Sequence, residues 1–128
     1  MAFLALGCSD KDEFEVSSDI VGKWKLIEVY ADPGDGSGKF RPLKSDKVLD
    51  FSKNGNFRVV NGDICNINMQ SKGSGMSTYT IDSTEIKDHY RLKINHCNLE
   101  FSCYVVDDVL TIYYSCIEGC GERFRRVN

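Results

Sequence analysis

Lys47-Val48-Leu49-Asp50-Phe51-Ser52-Lys53-Asn54-Gly55-Asn56-Phe57-Arg58-Val59-Val60 is the stretch that decides the fold class. Leu49 and Phe51 on one side of Asn54-Gly55, and Phe57 and Val59 on the other, recur at every second position. A period of two is a strand half buried on one face. Asn-Gly between two such runs is the strongest short-range hairpin signal. The segment is a β-hairpin.

The same grammar extends outward. Upstream, Val21 to Tyr30 alternates with Trp24 and Leu26 on one face and Lys23 and Lys25 on the other, until Leu26-Ile27 breaks the alternation and marks a bulge. Between these runs lies Ala31-Asp32-Pro33-Gly34-Asp35-Gly36-Ser37-Gly38, dense in turn formers. Downstream, a polar stretch from Gln70 to Gly75 leads into Thr78-Tyr79-Thr80-Ile81. Tyr90 to Ile94, Leu99 to Val106, Val109 to Tyr114 and Arg123 to Val127 complete the series, with Asp107-Asp108 as a tight turn. Residues 82–88 read as a helical turn or a further short strand.

Eight strands on hairpin-length connections predict an all-β protein, a small eight-stranded antiparallel up-and-down barrel whose closure removes exposed edges. A barrel of eight strands is filled by its own side chains or holds one small ligand. Alternation assigns Trp24, Leu26, Leu49, Phe51, Phe57, Val59, Tyr79, Ile81, Leu92, Ile94, Leu99, Phe101, Leu110, Ile112 and Phe124 to the interior. Composition agrees. In 128 residues, Val, Ile, Phe and Tyr number 32 against 11 for Ala and Leu, which excludes a helical bundle or coiled coil. The net charge of -3 argues against a general nucleic-acid binder.

The N-terminus sets the expected location. Met1 to Gly7 is uncharged and apolar, Cys8 follows, and Ser9-Asp10-Lys11-Asp12-Glu13 is strongly polar. Ala5-Leu6-Gly7-Cys8 resembles the lipobox of bacterial lipoproteins, although Leu6 stands where a smaller residue is commoner and no basic n-region precedes it. Residues 1–19 are therefore expected to be the remnant of a signal peptide, a lipidated Cys8 and an acidic tether, with the barrel in 20–128. Two or three acyl chains, at about 0.8 kcal/mol per buried CH₂, hold a protein on a membrane without spanning it. The expectation is an exported outer-membrane lipoprotein with surface display, for which the acidic segment resembles a sorting tag.

Gly22-Lys23-Trp24 matches the Gly-x-Trp opening of lipocalins. Val29 to Gly38, Ser52 to Phe57, Asn61-Gly62-Asp63-Ile64-Cys65 and Cys116-Ile117-Glu118-Gly119-Cys120 followed by Phe124 resemble a lipocalin-like domain of small Gram-negative envelope lipoproteins. The resemblance runs from about residue 8 to 127. It implies a lipocalin-like barrel and an exported, lipid-anchored protein, and names neither ligand nor reaction.

Export makes disulfides the default for the remaining cysteines. The resemblance covers Cys65, Cys97, Cys116 and Cys120 best and leaves Cys103, on an inward position, as the extra thiol. With Asp107-Asp108 as a two-residue turn, Cys97 falls near 116–120. One bridge is expected from Cys97 into that segment, and one from Cys65 to the cysteine left there. The rival is a zinc site from Cys65, His96 or Cys97, Cys116 and Cys120, but zinc knuckles favour Cys-x₂-Cys and the close pair here is Cys-x₃-Cys. No metal and no cofactor is expected. The 32–38 loop lacks the alternating carboxylates of a calcium loop and reads as a plain glycine-rich connection. His89 reads as a solvated loop residue, and the motifs of serine hydrolases, zinc proteases and phosphate loops are absent, so the chain reads as non-catalytic. Asp82-Ser83-Thr84 resembles a short bacterial O-glycosylation acceptor, or is a turn.

Two functions follow. The first is non-enzymatic binding of a small apolar or amphipathic ligand inside the barrel, lined by Trp24, Phe57, Tyr79, Phe101 and Tyr114. The second is a solid barrel whose outer face, with Tyr30, Tyr104 and Tyr113, binds a protein or glycan on the cell surface.

Overall fold

The computed structural model describes residues 20–31, 34–63, 70–114 and 119–127. Cys8 and its flanking segment lie outside them.

Nine strands form among the described residues: β1 (Gly22–Ala31), β2 (Lys39–Pro42), β3 (Val48–Phe51), β4 (Asn56–Gly62), β5 (Gln70–Ser83), β6 (His89–Ile94), β7 (Leu99–Val106), β8 (Val109–Tyr114) and β9 (Cys120–Val127). Every pairing is antiparallel. The order β9-β8-β7-β6-β5-β4-β3-β1 closes through β9 against β1 into an eight-stranded barrel, and β2 is one extra strand. β3 pairs with the first half of β1 and β2 with the second half, so both lie along the same edge of β1.

The deciding hairpin forms as its residues dictate. Phe51 faces Phe57, Ser52 N–H donates to Asn56 O at 2.9 Å, and Gly55 takes φ +92°, the left-handed position that ends a three-residue loop. Asp107 and Asp108 carry φ values of +53° and +61°, a two-residue turn whose twist matches the flanking strands. The bulge stands at Ile27. Arg123 pairs with Glu28 and Phe124 with Leu26, leaving Ile27 unopposed. It restores alternation, so Leu26 and Val29 both contact the core while Glu28 faces out.

Thirteen of the fifteen residues assigned to the interior are buried, and Ile81 and Leu99 pack against them partly buried. Ile20, Tyr90, Cys103 and Tyr114 complete the core. Trp24 donates Nε1–H to Ile20 O at 2.8 Å, and the Arg126 guanidinium lies 4.2 Å from its ring centroid. Arg126 also donates to Val21 O and Asp108 Oδ1.

Two strands differ from expectation. β2 was hidden by the density of turn formers before it. β5 starts at Gln70, eight residues before the expected Thr78, and reaches Ser83. Its first half is Gly- and Ser-rich, with residues 72–74 exposed, so it has no buried face to betray it. Pairing with β4, from Asn56 opposite Thr78 to Gly62 opposite Gln70, makes it a strand. Residues 84–88 form a turn rather than a helix or strand.

Candidate functional site

Alternation splits the wall of the barrel into two environments. The five candidate ligand liners all fall in the core. Phe57 and Tyr79 pack around Phe51 with ring centroids 4.8 and 5.0 Å away, and Phe101 meets Tyr114 edge-on at 5.0 Å. Trp24 is sealed under Arg126, so the structure disperses the five over separate aromatic contacts. Tyr79 donates its hydroxyl to Ser52 O at 2.8 Å, and burial pushes that phenol up to about 12.

The interior also holds a charged cluster. Lys47 and Glu122 are 0% and 2% exposed, and the Lys47 ammonium donates to Glu122 Oε1 at 2.8 Å. The Tyr114 hydroxyl donates to the same oxygen at 2.5 Å. Glu122 Oε2 is buried without a hydrogen-bond partner among the described residues. Burial lowers the Lys47 pKa and raises that of Glu122, each against the pull of the other's charge. Lys47 shares the parity of Leu49 and Phe51, and Glu122 that of Phe124. That shared parity was the sequence signal for two opposite charges facing inward.

The outer wall of β1, β9, β8 and β7 carries the second environment, laid out by register. One cross-strand row runs Phe40, Tyr30, Gly121, Tyr113 and Ser102. The next runs Glu28, Arg123, Thr111, Tyr104 and His89. Gly121 is required by close approach rather than by its backbone angle, because an added Cβ would stand 2.7 Å from Ile112 O and 3.2 Å from the Tyr113 ring. Tyr30 and Tyr113, paired with Gly121 from either side, meet edge-on at 6.4 Å. Phe40 adds contacts at 5.2 Å to Tyr30 and 6.1 Å to Tyr113, and His89 stacks on Tyr104 at 4.9 Å. These pairs contribute roughly 0.5–1.5 kcal/mol each beyond their burial.

Arg123 fixes the polar half. It donates to Glu28 Oε1 and Thr111 Oγ1, both at 3.3 Å, and its guanidinium carbon lies 3.8 Å from the Phe40 centroid. Under this cover Thr111 is buried although it points outward. Burial pushes the Tyr104 phenol up, but hydrogen bonds with Thr111, Arg123 and Tyr113 outweigh it and hold Tyr104 below the usual tyrosine range. Tyr113, first through burial and then as the partner of Tyr104, is pushed above it.

Beside the second row lies a groove of about 420 Å³, walled by Ile27, Glu28, Tyr104, Val106, Asp107, Val109, Thr111, Arg123 and Arg125. Arg125 and its cross-strand partner Lys25 are exposed, and neither has an ion pair among the described residues.

The expected bridge cysteines are only partly placed. Cys65 and Cys116 lie outside the described residues, Cys97 ends a short 3-10 helix at Asn95–Cys97, and Cys120 opens β9 against the core. Cys103 is the buried free thiol, and burial pushes it up to about 12. His89 is half-buried on Tyr104 rather than solvated, and Ser83 and Thr84 are exposed at the β5–β6 turn, where Thr84 bonds His89 O. Among the described residues no cluster of three metal-ligating side chains occurs.

No family model matches this chain, and neither a curated protein nor a solved structure matches it.

Proposed function

We propose that this chain is a lipid-anchored envelope protein of the lipocalin-like kind, whose barrel is a rigid support for a non-catalytic recognition face on the outer wall of β1, β9, β8 and β7. One observation carries the recognition reading. Aromatic rings and an arginine held in a fixed network converge outside the barrel, beside a groove, where a sheet needs only polar cover. Aromatic and arginine anchors of this kind are what binding surfaces are enriched in. The anchoring reading rests on Ala5-Leu6-Gly7-Cys8. The export reading is supported by Cys65, Cys97, Cys116 and Cys120 as an even set of bridge candidates, beside a buried free thiol at Cys103.

Glu122 Oε2 favours a second reading, in which a small amphipathic ligand enters the barrel and donates a hydrogen bond to that oxygen.

An array of oligosaccharides and peptides probed with the labelled protein tests the first reading. Tyr104→Ala and Tyr113→Ala should abolish the retained spots, and the interior variant Phe57→Leu should keep them. Spots lost with Phe57→Leu and kept by the tyrosine variants would overturn it in favour of the barrel interior.

A further inference from the structure

We infer that the outer groove takes an acidic saccharide, with a sugar ring against Tyr104 and its carboxylate between Arg123 and Arg125. This rests on the recognition face proposed above and names its ligand class.

Size comes first. About 420 Å³ is the scale of a small-molecule site, whereas a protein partner covers about 800 Å² of each surface. The walls are of two kinds, as a sugar ring demands. Ile27, Val106, Val109 and the Tyr104 ring offer apolar surface to the C–H faces. The guanidinium N–H groups not taken by Glu28, Thr111 and Tyr104 offer partners to hydroxyls.

Charge decides the class. Glu28 is already paired with Arg123, so its carboxylate is compensated. Arg125 has no acidic partner among the described residues, and Lys25 stands beside it on β1. Among the described residues of the wall, Asp107 is the acid without a partner. The wall itself balances two acids against two arginines, and Lys25 beside Arg125 gives the groove and its rim one cation in excess, which favours an anion over a cationic ligand. Arg123 and Arg125 are two residues apart on one strand, hence about 7 Å apart on the same face. Arg123 is also pre-oriented by Glu28, Thr111 and Phe40, which leaves N–H groups in a fixed plane suited to two-point carboxylate bonding.

Calorimetry on the whole chain tests this with tetrasaccharides of glucuronate, galacturonate and mannuronate. The controls are their methyl esters and an acidic hexapeptide. At least one uronate tetrasaccharide should bind, its methyl ester at least ten-fold more weakly. Arg125→Ala should weaken it ten-fold or more, and Arg125→Lys less, with the melting temperature unchanged because Arg125 is exposed and has no ion pair among the described residues. Equal binding of ester and acid, or no binding by any uronate, overturns the inference. Hexapeptide binding alone, lost in Tyr104→Ala, overturns the saccharide while leaving the recognition face standing. Uronate binding that survives Tyr104→Ala and Arg125→Ala overturns the location.

Discussion

Lys47 and Glu122 show how one pair of residues can be costly and still indispensable. Two charges taken out of water lose several kcal/mol of hydration each, and their attraction with the Tyr114 hydrogen bond returns only part of it. Removing one partner leaves a buried charge alone. Lys47→Met should therefore destabilise by about 3–5 kcal/mol, while Lys47→Met with Glu122→Leu should lie near the wild type or above it. Urea unfolding of the cycle measures both. The pH dependence has a definite sign. Burial raises the folded-state pKa of Glu122 above its unfolded value, so its contribution is fully present in acid and is lost as pH rises through the raised pKa. In the Lys47→Met background no cation opposes that shift. Stability should then fall by up to about 1.4 kcal/mol per pH unit above the carboxylate range, and Lys47→Met with Glu122→Gln should lack this component.

At the scale of elements, the outer face depends on Gly121. Its Cβ-free surface lets Tyr113 and Tyr30 close over β9 from both sides. Gly121→Ala should cost about 1–3 kcal/mol through overpacking against Ile112 O and should displace the Tyr113 ring. A stability loss under 0.5 kcal/mol with unchanged Tyr113 ring shifts would contradict that role. Legibility varied between elements for physical reasons. The Asn54-Gly55 hairpin, the Asp107-Asp108 turn and the Ile27 bulge follow from local backbone chemistry and a two-residue period, so their residues announce them. β2 and the first half of β5 exist because a neighbouring strand offers hydrogen bonds. Residues such as Lys72, Gly73 and Ser74 carry no burial pattern to read.

The whole molecule is a barrel with an apolar core and a charged wall. Outward Lys25, Arg58, Arg91 and Arg125 would each cost as much as about 2–4 kcal/mol facing lipid at the bilayer midplane, so the proposed attachment by acyl chains suits the wall better than insertion. The interior was legible because burial leaves a period in the sequence. The candidate site was legible only as three tyrosines. Its organising residues, Arg123, Thr111 and Gly121, owe their places to the register of four strands, which emerges only when the barrel closes. Methyl NMR of the protein titrated with its strongest array ligand separates the two faces most directly. If the outer wall is the recognition surface, the methyls of Ile27, Val106 and Val109 shift while those of Leu26, Leu49, Leu92, Leu110 and Ile112 stay in place. Shifts concentrated in the interior methyls, with Ile27, Val106 and Val109 unmoved, would contradict it.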